Sequence, residues 1–238
     1  MEALTFGPLR GFGRLECLLL LLSIASSVAF MATRPLQPFP GAAVLKGLGM
    51  AALALLAFRL LGNTTRDRLL LTAALVLSCG GDVFLQLDFR RYFVEGLAAF
   101  LLAHLTYIGL FAGNWRRPLQ PSTGQTILVS LVLVYFALGC IWLWPDLGRL
   151  AVPTLTYAAA VTGMTISAIL TGFSRPFVWV GAVLFLISDS LLAAGRFKTP
   201  LSLAAFLIWP TYYLAQYGIT MGSLHEKAAD APPRPLSG

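Results

Sequence analysis

The chain has 238 residues, of which 58% are hydrophobic and 11% are charged, and its mean hydropathy is +0.79. This composition excludes an ordinary soluble globular domain and indicates a membrane protein. The net charge of +7 lies mostly in short loops, where no basic run is interleaved with exposed aromatic residues. Membrane lipids are therefore predicted partners, and nucleic acid is not.

Eight apolar segments follow one another along the chain, each long enough to cross roughly 30 Å of hydrocarbon as a helix. They are Leu15–Met31, Ala42–Leu61, Leu69–Leu87, Phe93–Gly113, Gln125–Trp144, Leu150–Thr171, Phe177–Gly195 and Leu201–Met221. The first segment has features of a signal peptide, but no convincing cleavage site follows it, and we predict a helix. The sequence thus predicts an all-α, polytopic membrane protein with an eight-helix transmembrane domain over residues 1–222. Residues 223–238 are Pro-rich and polar, which predicts a disordered cytoplasmic tail.

The charges in the loops predict the orientation. With eight spans both termini lie on one side, which carries ten Lys and Arg residues against six on the other. The positive-inside rule therefore predicts cytoplasmic termini for this multi-pass protein, in the inner membrane if its source is bacterial.

The third and fourth segments have counterparts in the seventh and eighth. Asp82 and Asp189 are 107 residues apart, and both Phe100 with Phe206 and Tyr107 with Tyr213 are 106 apart. Segments three and seven run in the same direction. The offsets therefore predict two parallel four-helix repeats, related by an axis along the membrane normal.

Polar side chains gather at these repeated segments. Ionisable residues at bilayer depth are costly and usually face a bundle interior or a wet cavity, so we expect Asp82 and Asp189 to face one another across a cleft. The neighbouring polar and aromatic candidates are Lys46, Ser78, His104, Tyr107, Ser188, Trp209, Tyr212, Tyr213 and Gln216. Structural roles remain open for each of them, because an intramembrane Asp can simply join helices and Lys46 can extend to the interface.

Several reaction classes lack their residues in this sequence. No GxSxG element marks a serine nucleophile, and His104 is the one histidine in the apolar segments, which is too few for a zinc site. Cys17, Cys79 and Cys140 have no metal or disulfide spacing. Two carboxylates in a low-dielectric site instead suit acid–base chemistry, in which one donates a proton while the other carries charge. No metal or other cofactor is predicted.

The blocks VLKGLGM, LVLSCGGDVFL, FVEGLAAFLLAHLTY, VGAVLFLISDSLL and WPTYYLAQ resemble the YhhN/TMEM86 family over about residues 15–222. The resemblance implies a lysoplasmalogenase, which cleaves the sn-1 vinyl ether of a lysophospholipid to a fatty aldehyde and glycerophosphoethanolamine or glycerophosphocholine. By that resemblance the site is lined by Lys46, Asp82, His104, Tyr107, Ser188, Asp189, Tyr212, Tyr213 and Gln216. For this reaction one of the two aspartic acids is expected to supply the proton and the other to stabilise the cation, and Lys46 is expected to hold the phosphate. The competing interpretations are a proton-coupled transporter or lipid exporter that uses the same carboxylates, and a scaffold. The sequence predicts no oligomeric state.

Overall fold

The structure is a computed structural model that describes residues 12–37, 39, 41–60, 65–116, 118–173, 176–198 and 202–229. These residues form eight α-helices and two short 3-10 turns, Arg34–Leu36 and Gly148–Leu150. The α-helices are α1 (Arg14–Ala32), α2 (Gly41–Leu60), α3 (Thr65–Leu87), α4 (Phe93–Ala112), α5 (Thr123–Leu147), α6 (Ala151–Ile169), α7 (Phe177–Phe197) and α8 (Ser202–Ala229). The predicted all-α class is confirmed.

Each predicted apolar segment coincides with one helix, and the ends differ by a few residues except at α8. That helix continues to Ala229, beyond the domain boundary predicted at residue 222. The remainder of the predicted tail, residues 230–238, lies outside the described residues.

Six helical stretches within the described ranges are long and apolar enough to cross a membrane. One of them, Thr123–Ile169, contains both α5 and α6. Helix α8 is not among the six, and its middle carries the polar side chains of Tyr212, Tyr213 and Gln216. The fold is therefore that of a helical membrane protein.

Six of the helices close into a ring. Around it α2 packs against α3, α3 against α4, α4 against α6, α6 against α7, α7 against α8, and α8 against α2. Helix α1 packs against α2, and α5 packs against α6 and α7. The buried residues of α5 are Val132 and Leu147, so most of this helix is left to contact lipid.

Helices α7 and α8 approach one another closely at Gly181. A Cβ atom at this position would lie 2.8 Å from the backbone oxygen of Ala215 and 3.0 Å from the backbone nitrogen of Ile219. Small residues allow this kind of close backbone approach between membrane helices.

We expect Gly181→Ala to lower the free energy of unfolding by about 1–3 kcal/mol, because the added methyl group must push two backbones apart. Gly195→Ala on the same helix is the matched control, since a Cβ there meets nothing within 4 Å. Thermal unfolding in detergent compares the two variants. Equal stability of both would contradict the close α7–α8 contact.

Candidate active site

Two buried polar networks lie between the ring helices, one around each predicted aspartate. The first is centred on Asp82 in α3, which is 1% exposed. Its Oδ1 lies 3.1 Å from Nζ of Lys46 in α2, and its Oδ2 accepts a hydrogen bond of 2.6 Å from the hydroxyl of Tyr212 in α8. An isolated buried carboxylate is costly, and here the ammonium group and the hydroxyl occupy both carboxylate oxygens.

Further predicted residues continue this network. The Tyr107 hydroxyl donates to Oε1 of Gln216 at 2.6 Å, and Nε2 of Gln216 lies 3.4 Å from the Tyr212 hydroxyl. The hydrogen bonds thus connect α4 to α8 and, through Tyr212, to Asp82 in α3.

Helix α1 supplies partners that the sequence did not single out. Nε1 of Trp209 donates to Oγ of Ser27 at 2.9 Å, and the hydroxyls of Tyr213 and Ser23 are 2.9 Å apart. Nζ of Lys46 lies 5.3 Å from the ring centroid of Trp209. Ser23 and Ser27 are spaced i, i+4 and so share a face of α1, which is the signal that would have identified them.

The second network surrounds Asp189 in α7. The Tyr157 hydroxyl donates to Oδ2 of Asp189 at 2.6 Å, and Nε2 of His104 lies 3.0 Å from that hydroxyl and 3.4 Å from the same carboxylate oxygen. Since the single proton of the hydroxyl goes to Asp189, Nε2 of His104 is the donor to the Tyr157 oxygen. Nδ1 of His104 lies 3.2 Å from Sδ of Met164. Tyr157 was missed by the sequence reasoning, although it is a polar group within an apolar segment.

Aromatic rings stand between the two networks. The Phe185 ring centroid is 4.8 Å from that of His104 and 5.2 Å from that of Tyr212. Phe185 precedes Asp189 by one helical turn in α7. The two aspartates therefore belong to separate hydrogen-bond networks.

A cavity of about 520 Å³ reaches Asp189 and Tyr157. Its lining residues come mostly from the first half of α4, the second half of α5, the first two thirds of α6 and the second half of α7. Asp82 and Lys46 are not among these residues. The larger apolar side chains of the lining are Phe93, Leu97, Phe136, Leu138, Trp142, Leu143, Leu155, Leu186, Leu192 and Phe197. This cavity is therefore lined by one of the two carboxylates expected to share a cleft, that of Asp189.

The two predicted serines lie away from the cavity lining. Oγ of Ser188 donates to the carbonyl oxygen of Ile208 at 2.9 Å. Ser78 is fully buried in α3, and its Oγ has no hydrogen-bond partner among the residues described. Of the eleven residues predicted for the site, Asp189 is the one that the cavity touches.

The eight helices and the six stretches that are long and apolar enough to cross a membrane define a polytopic helical membrane protein. The model of the YhhN family matches residues 41–223, and the chain belongs to this family.

Named relatives extend the comparison. The chain is 38% identical over 160 residues to lysoplasmalogenases of Mycobacterium bovis and Mycobacterium tuberculosis, an overlap of 66% of this chain and 61% of each relative. It is 37% identical over 158 residues to human lysoplasmalogenase TMEM86B, across 65% of this chain and 63% of that protein. The match thus spans about three fifths of the length of these curated relatives. No solved structure matches the chain.

Proposed function

We propose that this protein is an integral-membrane lysoplasmalogenase. It hydrolyses the sn-1 vinyl ether of a lysoplasmalogen to a fatty aldehyde and glycerophosphoethanolamine or glycerophosphocholine. Family membership and the names of the relatives support the reaction class. The observation that carries the proposal is the position of Asp189, whose carboxylate meets an apolar cavity large enough for part of a lipid.

We also propose eight membrane spans in two parallel four-helix repeats, with the termini in the cytoplasm. Helix α8 has 28 residues and is about 42 Å long at 1.5 Å per residue, which is enough to cross a bilayer. The excess of Lys and Arg on the terminal side supports this orientation. The cavity lies in the half of the helices away from the termini, so it would open toward the opposite leaflet.

In the proposed complex the hydrocarbon chain of the substrate occupies the apolar part of the cavity, and its vinyl ether lies at Asp189. The lining near α5 is suited to lipid entry, because few residues of that helix are buried. Tyr157 and His104 hold the Asp189 carboxyl in place through the hydrogen bonds that join all three side chains.

Asp189 then acts as the proton donor. A vinyl ether is hydrolysed by protonation of the carbon that is β to the ether oxygen, which leaves a cation stabilised by that oxygen. The new Asp189 carboxylate stabilises this cation and accepts a proton from the water that adds to it. The resulting hemiacetal collapses to the aldehyde and the glycerol hydroxyl, and every atom is supplied by substrate and water.

Asp82 has a different task in this mechanism. Its charge is offset by Lys46, and it holds the Tyr212 hydroxyl. Tyr212 packs on Phe185, whose ring contacts His104. Asp82 is therefore proposed as a positioning residue behind the aromatic rings, and the two-aspartate acid–base pair predicted from the sequence becomes the alternative that a double variant can test.

The purified protein is expected to release aldehyde from a 1-alkenyl lysolipid and to leave the 1-alkyl lysolipid of equal length intact. Protonation at carbon needs the double bond, whereas the saturated ether offers the same chain, glycerol and phosphate and should inhibit competitively. Mass spectrometry of the products makes the comparison. Fatty acid released from a 1-acyl lysolipid at a comparable rate would contradict the reaction class, and chemically intact 1-alkenyl lipid would favour a transporter or exporter.

A further inference from the structure

The cavity ends beside an arginine that the mechanism does not use. Arg196 lies in the last turn of α7, and its guanidinium carbon is 5.1 Å from the ring centroid of Phe93 and 5.8 Å from that of Phe197. Both rings line the cavity. A third ring, that of Phe89 in the loop before α4, lies 6.0 Å from the same carbon.

This guanidinium has no anionic partner among the residues described. No ion pair or hydrogen bond joins Arg196 to a carboxylate there, and its Nε is buried without an acceptor. Two lysines are already paired, Lys46 with Asp82 and Lys198, which lies over the cavity residue Trp142, with Asp146. A buried donor without an acceptor is costly, so a bound anion that accepts a hydrogen bond from Nε of Arg196 would remove this cost.

The spacing along α7 fits one kind of anion. Asp189 and Arg196 are seven residues apart, which places them on the same face of the helix and about 10 Å apart along its axis. In an extended lysolipid about seven covalent bonds separate the phosphorus atom from the vinyl carbon that is protonated, a span of roughly 9 Å at ordinary bond lengths. A lipid whose vinyl ether is at Asp189 can therefore bring its phosphate to Arg196.

We propose that Arg196 binds the phosphodiester of the lysolipid at this end of the cavity, an inference that rests on the proposed function. Guanidinium donates two parallel hydrogen bonds to phosphate oxygens, and the three aromatic rings keep its plane oriented. The vinyl ether is thereby held at a fixed distance from the anchored phosphate. Lys46, the phosphate ligand expected from the sequence, keeps its ion pair with Asp82 instead.

The test measures equilibrium binding of a non-hydrolysable 1-alkyl lysolipid, so that it does not depend on turnover. Arg196→Gln is expected to weaken binding at least tenfold, and Arg196→Lys to recover part of the loss because it keeps the charge. Binding of the phosphate-free 1-alkyl glycerol should be the same in the wild type and both variants, which also reports that they are folded. Arg149→Gln is the matched control, since Arg149 is exposed in the turn before α6.

Four outcomes are informative. Loss of lysolipid binding in Arg196→Gln alone supports the phosphate site, even if the wild type proves unable to cleave the vinyl ether. Equal lysolipid binding in the wild type and Arg196→Gln overturns the site, while leaving the hydrolase intact if aldehyde is still released. Equal loss for the lysolipid and the phosphate-free lipid also overturns it, because the defect is then not in phosphate recognition. Inorganic phosphate that binds the wild type as tightly as the lysolipid overturns it in favour of a free-anion site.

Discussion

Asp189→Asn is expected to lower kcat for a 1-alkenyl lysolipid by about 10²–10⁴-fold, the typical cost of removing a proton-transfer group. The asparagine keeps the size of the side chain and can accept the hydrogen bond of Tyr157 through its carbonyl oxygen. What it loses is the proton that the mechanism delivers to carbon. Initial rates of aldehyde release measure the effect.

Binding separates this loss of chemistry from a loss of fold. The competitive inhibition constant of the 1-alkyl lysolipid should change little in Asp189→Asn. Asp88→Asn is the matched control, because Asp88 lies in the loop after α3 and accepts hydrogen bonds from the backbone of Arg90 and Arg91, which an amide oxygen can also accept. An Asp189→Asn protein that keeps more than about a tenth of wild-type turnover would show that Asp189 is not the acid.

Asp82→Asn is expected to lower the free energy of unfolding by about 3–5 kcal/mol, because it leaves the Lys46 ammonium without its carboxylate in a mostly buried site. The double variant Asp82→Asn with Lys46→Met removes both charges and should recover most of this loss. Titration of the detergent-purified proteins with a denaturing surfactant measures the free energy of unfolding of the wild type, Asp82→Asn and the double variant. A double variant no more stable than Asp82→Asn alone would contradict the ion pair.

The same double variant tests the role of Asp82 in catalysis. If Asp82 only positions Tyr212 and, through it, Phe185, the double variant should keep at least about a tenth of wild-type kcat. A protein as stable as the wild type but inactive would show that the Asp82–Lys46 pair takes part in the reaction directly, which contradicts a positioning role.

Local features of the sequence were enough to predict the helices. Long apolar runs separated by Pro, Gly and charged loops determine where a membrane helix begins and ends, and each predicted segment is a helix. Polar residues at bilayer depth are rare and need partners, which is why Asp82, Tyr212, Tyr107 and Gln216 could be singled out and prove to be hydrogen-bonded together.

Which networks these residues join could not be predicted, because that depends on how distant helices pack. The contact of α4 with α6 brings Tyr157 to His104, and nothing in the local pattern of either helix specifies it. The repeat suggested that Asp82 and Asp189 occupy equivalent places. Their surroundings nevertheless differ. Lys46 in α2 neutralises Asp82, whereas the cavity lined by α4, α5, α6 and α7 reaches Asp189.

The most direct test of the central claim is hydrolysis of a 1-alkenyl lysolipid by the purified protein in heavy water. The aldehyde is derivatised immediately, and its deuterium content is measured by mass spectrometry. Protonation at the vinyl carbon predicts a fatty aldehyde with one deuterium at carbon 2, while authentic aldehyde carried through the same steps stays unlabelled. Intact lipid, or an aldehyde without deuterium at that carbon, would contradict vinyl ether hydrolysis by proton transfer to carbon.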